Sequence, residues 1–182
     1  MRWYHIDRFL EFVSGERAVS IKTVSLSEDH MHDYWPGYPI MPSTLIVEGL
    51  AQTGGLLVGE SVGFEKCVIL AKLSKAVFHD LARPGDQLTY TSVLESSSSD
   101  GAIVRGTSYK GDQLQAEIDI VFAYIPERLA GVEQFYPADF LSTMRKFGMY
   151  AVLKTPEGEP KLPPAYMLEA EQNAFKSGLL DD

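Results

Sequence analysis

The chain is poor in the residues that would make it several other kinds of protein. It has one cysteine, Cys67, which excludes an internal disulfide framework. Cations are the minority charge, 16 Lys and Arg against 25 Asp and Glu for a net charge of −9, so the clustered positive charge that nucleic-acid phosphates require is missing. No apolar run approaches the length that crosses a bilayer, and the opening MRWYHIDRFLEF is charged and amphipathic, without the apolar centre of a signal peptide. The expectation is a cytoplasmic protein with neither a nucleic-acid nor a membrane partner. There are four histidines. His30 and His32 would project to one side of an extended chain, but no third ligand spacing accompanies them, so no metal or other cofactor is implied.

What is present is a 182-residue chain of ordinary composition, 45% hydrophobic and 23% charged, large enough for a substantial core. Its organising stretch is Tyr34 to Gly55, YWPGYPIMPSTLIVEGLAQTGG. Pro36, Pro39 and Pro42 make the first part a stiff, extended loop, so a helix must start after Pro42, with Ser43 or Thr44 as its N-cap. The helix is apolar nearly all round, which predicts burial, and Glu48 interrupts it with Gln52 one turn further along the same face. An ionised carboxylate in so apolar a segment must reach solvent, find a partner or have its pKa raised. Two readings stand side by side: an exposed polar stripe, or a general acid or base in a dry tunnel.

The residue order from Tyr34 to Gln52 resembles the FabA/FabZ-type 3-hydroxyacyl-acyl-carrier-protein dehydratases. That family has a His-Phe-Pro-Gly-x-Pro-x-Met-Pro-Gly segment followed by an apolar helix with an acidic residue and Ala-Gln. The matching residues here run from Tyr34-Trp35-Pro36-Gly37 through Met41-Pro42-Ser43 to Glu48 and Ala51-Gln52, and Arg83-Pro84-Gly85-Asp86 resembles the family's second signature. The resemblance covers roughly residues 4 to 125. It implies a hotdog fold, an α+β architecture in which an antiparallel sheet wraps one long helix, and a homodimer or multiple of dimers whose catalytic groups come from both protomers across the interface. It departs at two positions: Tyr34 stands where the family has its catalytic His, and Ser43 where the family has a Gly whose N–H meets the thioester carbonyl.

The expected organisation is a hotdog dehydratase-like domain over residues 1–126 and a C-terminal extension over 127–182. A first long strand is expected over 18–26, a turn over 59–65, strands in CVILAKLSKAVF, over 87–95 and over 113–124, and hairpins at Ser96–Gly101 and Lys110–Asp112. Trp3 to Phe9 reads as an aromatic entry segment in which His5 and Asp7 form either a polar pair or, as the favoured expectation, part of an ordinary surface turn. The extension carries helical patterns near 138–150 and 164–176, and Phe140, Met144, Phe147 and Tyr150 predict that it packs on or near the hotdog.

The resemblance implies a thioester of acyl carrier protein or coenzyme A as substrate and partner, fatty-acid or related acyl-chain synthesis as the setting, and no cofactor. Glu48 is the expected catalytic residue, Tyr34 fills the partner position, and a shifted His32 serves as base if the loop bulges. Tyr34 alone is a poor base at neutral pH. Substrate-binding candidates are Ser43, Thr44, Gln52, Pro36, Gly37 and Met41, with the helix N-terminus polarising the carbonyl. Lys72, Lys75 and Arg83, with Lys22 nearby, are the candidate docking cations for an acidic carrier. Two alternatives remain: a non-catalytic acyl-thioester-binding hotdog, and a thioesterase in which Glu48 activates water.

Overall fold

The computed structural model describes residues 4–125 and 135–176. Its elements run β1 (Arg8–Val13), β2 (Arg17–Thr23), α1 (His30–Asp33), α2 (Ser43–Ser61), β3 (Val68–Phe78), β4 (Gln87–Ser97), β5 (Gly101–Lys110), β6 (Gln113–Tyr124), α3 (Pro137–Lys146), α4 (Met149–Val152), β7 (Leu153–Lys154) and α5 (Ala165–Lys176). The strands form one sheet in the order β3-β6-β5-β4-β2-β1-β7, antiparallel except for the parallel pair β1/β7. Period-two alternation turns Leu88 and Tyr90 of β4, Val104 of β5, and Ile118, Ile120 and Phe122 of β6 inward. Against them α2 lays Ile46, Leu50, Leu57 and Val58, all buried.

The helix approaches the sheet closely at Gly49. A Cβ there would run into the Tyr90 ring and come within 2.8 Å of the His5 carbonyl, so only glycine fits. Deeper in the interface, the Ser20 hydroxyl donates to Thr53 Oγ1 at 2.6 Å, and Thr53 itself donates to the Gly49 carbonyl. These bonds satisfy hydroxyls that no water reaches.

Three expectations about local structure need correction. Neither Ser43 nor Thr44 caps α2: Pro42 is the N-cap residue, in extended conformation at ψ 133°, and its carbonyl accepts the Leu45 N–H at 2.9 Å. The ring fixes φ, and the first helical turn follows directly. A strand precedes the one expected over 18–26. Its pairing with β2 shifts register between Phe9 and Glu11, which puts Phe9 and Phe12 inside at a spacing of three and disguises the alternation. Finally, α2 persists through Ser61, and the turn begins at Val62 because Phe64, whose N–H donates to the Gly59 carbonyl, closes over the last helical turn.

The expected division at 126/127 falls outside the described residues. Beyond it, residues 135–176 share one apolar core with the sheet and α2, through Leu141, Met144, Met149, Leu153 and Met167. The Phe9 N–H donates to the Phe147 carbonyl at 2.8 Å, β7 pairs with β1, and Arg145 grips Glu171 with two 2.9 Å bonds that join α3 to α5. Lys161 meets Glu60, 4% exposed near the end of α2, at 2.5 Å. Among the described residues no helix is long and apolar enough to cross a bilayer.

Candidate active site

The proline loop is held by the turn that forms the second sequence motif. Met41 N–H donates to the Ala82 carbonyl at 2.9 Å, Val24 N–H to the Asp86 carbonyl, and the Asp86 carboxylate accepts the Arg83 N–H at 2.8 Å. Arg83 also hydrogen-bonds the Tyr38 hydroxyl and lies 4.6 Å from the centre of its ring. The two motifs, forty residues apart in the sequence, are thus one structural unit. Within it Met41 is buried as part of the core, whereas Pro36 and Gly37 are exposed, Gly37 at a φ of 78° that favours glycine.

Residues 30–33 are a helical turn, not extended chain, so His30 and His32 do not project to one side. His32 is exposed. His30 turns inward, its Nε2 3.9 Å from Glu28, and with Tyr34 and His5 it lines a cavity of about 660 Å³ at the N-terminal end of α2 that also touches Thr44 and Leu45. Tyr34 is 53% exposed at this cavity. Ser43 is half-buried beside it, and the first bond of α2 is donated by Leu45, so the Ser43 and Thr44 N–H groups precede the intrahelical ladder and point out of the helix start.

Glu48 and Gln52 are brought together as their spacing predicts: the Gln52 amide donates to Glu48 Oε1 at 2.9 Å, and both are half-buried. The other side of the same amide accepts the His5 N–H at 2.9 Å. His5 therefore sits on no surface turn. It is 7% exposed, because the Asp7 N–H bonds the Ile21 carbonyl and draws the entry segment onto the edge of β2. Burial lowers the pKa of its imidazole below the ordinary histidine value, the nearby Glu48 opposes this, and Lys22 and His30 reinforce it.

Lys22 is not a docking cation. It is buried, paired with Glu28 at 2.7 Å and Asp7 at 3.7 Å. Burial opposes the charged form of Glu28, yet bonds from Lys22 and the Ser25 N–H hold its pKa below the usual carboxylate range. Of the remaining cations proposed for docking, Lys75 pairs with Glu117 at 3.1 Å, Lys72 is exposed on β3, and Arg83 is committed to Tyr38.

A second cavity, about 560 Å³, lies along the other side of α2 between that helix and α3. Gln52 borders it, and its walls include Leu56, Phe64, Phe140, Met144 and Phe147. Sequence reasoning placed the last three in a packing helix but not at a cavity. No periodicity marked His5 or His30, since the fold alone brings residues 5 and 30 together.

An antiparallel sheet curled around a single buried helix defines the hotdog class, and solved hotdog structures superpose on this chain. The dehydratase heterocomplex ApeI:P from Xenorhabdus doucetiae aligns over 68% of this chain and 84% of that one, with a TM-score of 0.57 and 12% identity. The uncharacterized protein PH1136 from Pyrococcus horikoshii gives a TM-score of 0.54 at 16% identity, over 68% of this chain and 85% of that one. At such identities the likeness concerns the fold. The sequence goes further: the FabA-like domain matches residues 3–118, and the chain belongs to that family. It is 36% identical over 119 residues to the 3-hydroxyacyl-acyl-carrier-protein dehydratase FabZ of Pelotomaculum thermopropionicum, covering 65% of this chain and 85% of the relative.

Proposed function

We propose that this protein is a 3-hydroxyacyl-thioester dehydratase of acyl-chain synthesis, acting on a chain carried by acyl carrier protein or coenzyme A, with Glu48 as its reactive carboxyl. The observation that carries the reading is the contrast between the two carboxylates of α2. Glu60 is neutralised by Lys161 at 2.5 Å, whereas Glu48 is met by an amide at 2.9 Å, an arrangement that orients one oxygen and leaves the charge to act. An oriented, half-buried carboxylate is what proton transfer next to a thioester requires.

The reaction removes a C2 proton and expels the C3 hydroxyl as water, leaving a C2–C3 double bond. Glu48 takes the C2 proton as a carboxylate and, now protonated, returns it to the departing hydroxyl on the same face, so a single group completes both transfers. Negative charge that builds on the thioester oxygen is met by the Ser43 and Thr44 N–H groups and the positive end of α2. Tyr34, at the exposed mouth, offers a hydroxyl hydrogen bond to the substrate and not a base. The exposed His32 has no part in this scheme.

The working unit is a homodimer. Among the described residues β3 has one hydrogen-bonded neighbour, β6, and it exposes Ile69, Leu70, Leu73, Val77 and Phe78, which pairing with a second copy would cover. Lys72 on this strand remains for an acidic carrier.

A non-catalytic acyl-thioester-binding role is the second reading, favoured by Tyr34 where the family has His. Turnover of 3-hydroxyacyl thioesters by the wild type, Glu48→Gln and Tyr34→His decides between them. The dehydratase predicts wild-type turnover that falls about 10²- to 10⁴-fold in Glu48→Gln. Turnover only in Tyr34→His, with thioester binding in all three, would establish the binding module.

A further inference from the structure

The cavity between α2 and α3 plays no part in the proton transfers. Its inner wall is the face of α2 that follows Glu48, from Ala51 past Gly55 to Gly59, about 12 Å along the helix axis. Phe140, Met144 and Phe147 of the C-terminal extension form its outer wall, and Phe64 closes the far end. Its polar lining comes from Gln52, Lys66, Tyr4, Tyr136, Asp139 and Thr143. Gln52, which holds Glu48, marks one end, and Lys66 marks the other, with its ammonium 4.6 Å above the Tyr124 ring. Thr143, on the outer wall, donates to the Asp139 carbonyl at 2.9 Å and lies 3.4 Å from the Tyr4 hydroxyl, so its polarity is partly spent within the wall. A volume of about 560 Å³ walled by aromatic and aliphatic side chains is far more than a two- or three-carbon fragment fills, and it lies in the range of pockets that hold whole apolar ligands.

We propose that this cavity receives the acyl chain of the thioester, and that α3 of the extension sets the longest chain accepted. The inference rests on the dehydratase reading for the identity of the ligand. A thioester whose C2 lies at Glu48 runs its tail past Gln52 along the bare stripe of α2, where the small side chains of Ala51 and Gly55 leave room. Phe140 and Phe64, whose rings meet edge-on at 5.2 Å, stop it. Chain-length choice in this protein then depends on residues beyond the part of the chain that the FabA-like domain matches, which ends at residue 118.

The test is calorimetric binding of 3-hydroxybutyryl, 3-hydroxydodecanoyl and 3-hydroxyhexadecanoyl thioesters to the full chain and to Ala51→Leu and Phe140→Ala, with turnover measured alongside and thermal melts checking the fold. Ala51→Leu narrows the inner wall and should weaken dodecanoyl binding about tenfold or more while butyryl binding stays within about twofold. Phe140→Ala removes the stop and should shift preference toward hexadecanoyl. An unchanged chain-length profile in both variants, or equal losses for short and long chains, would overturn the proposal. Selective loss of long-chain binding in a protein that turns over no thioester would leave the cavity assignment standing and sink the dehydratase.

Discussion

The His5 imidazole is buried, and burial disfavours its charged form, so its pKa lies below the ordinary value of about 6.5. Between the lowered value and the ordinary one, the unfolded chain binds more protons than the folded one. His5 therefore contributes stability that is complete above about pH 6.5 and is lost as the pH falls through the folded value. Glu48 and Glu28 facing the ring oppose the shift, and Lys22 and His30 support it. Thermal melts from neutral pH down to roughly pH 5 should show a steeper loss of stability in the wild type than in His5→Leu, which keeps the backbone bond to Gln52. Equal slopes would place the acid sensitivity elsewhere. Residue-level legibility follows from how local each relation is. Glu48 and Gln52 were readable because four positions on one helix fix their meeting, and Pro42 because its ring stops any earlier helix. His5 was not, because its burial depends on a strand pairing that brings residue 7 to residue 21.

At the scale of elements, the extension is fastened to α2 by Lys161 on Glu60 and to Ser14, whose hydroxyl accepts from the same ammonium at 2.9 Å. Removing the cation leaves a nearly inaccessible carboxylate alone. Lys161→Met should cost about 2 kcal/mol in denaturant unfolding, and adding Glu60→Gln should recover most of it. A loss below a few tenths of a kcal/mol, or no recovery in the double variant, would show that the pair does not fasten the extension. The order of strand, buried helix and antiparallel strands was legible because turns at Ser96–Gly101 and Lys110–Asp112 punctuate the alternation. β1 was hidden by its bulge. The N-cap was misplaced because Ser and Thr are favoured caps in general, while here the preceding proline already supplies the extended residue and the accepting carbonyl.

For the whole molecule, the exposed apolar face of β3 is the surface proposed to pair two copies. Two register shifts against β6, at Leu70/Lys72 and Leu73/Lys75, twist the strand but do not cover it. Analytical ultracentrifugation should find a dimer of the 182-residue chain, and Leu70→Asp with Leu73→Asp should yield monomers that retain their fold by circular dichroism. A wild-type monomer, or a dimer indifferent to both substitutions, would remove β3 from the interface. Neither the shape of the second cavity nor its aromatic end was legible in the sequence, because the four strands β3 to β6 separate α2 from α3 along the chain and only the tertiary fold brings the two helices to one cavity.

The most direct measurement is the dehydration run backwards, as hydration, in heavy water. A trans-2-enoyl thioester incubated with the protein in D₂O should become the 3-hydroxyacyl thioester with one deuterium at C2, delivered by Glu48. The same incubation with Glu48→Gln should proceed about 10²- to 10⁴-fold more slowly. Unaltered deuterium incorporation in Glu48→Gln, or none in the wild type, would contradict the central claim that this carboxyl carries the proton.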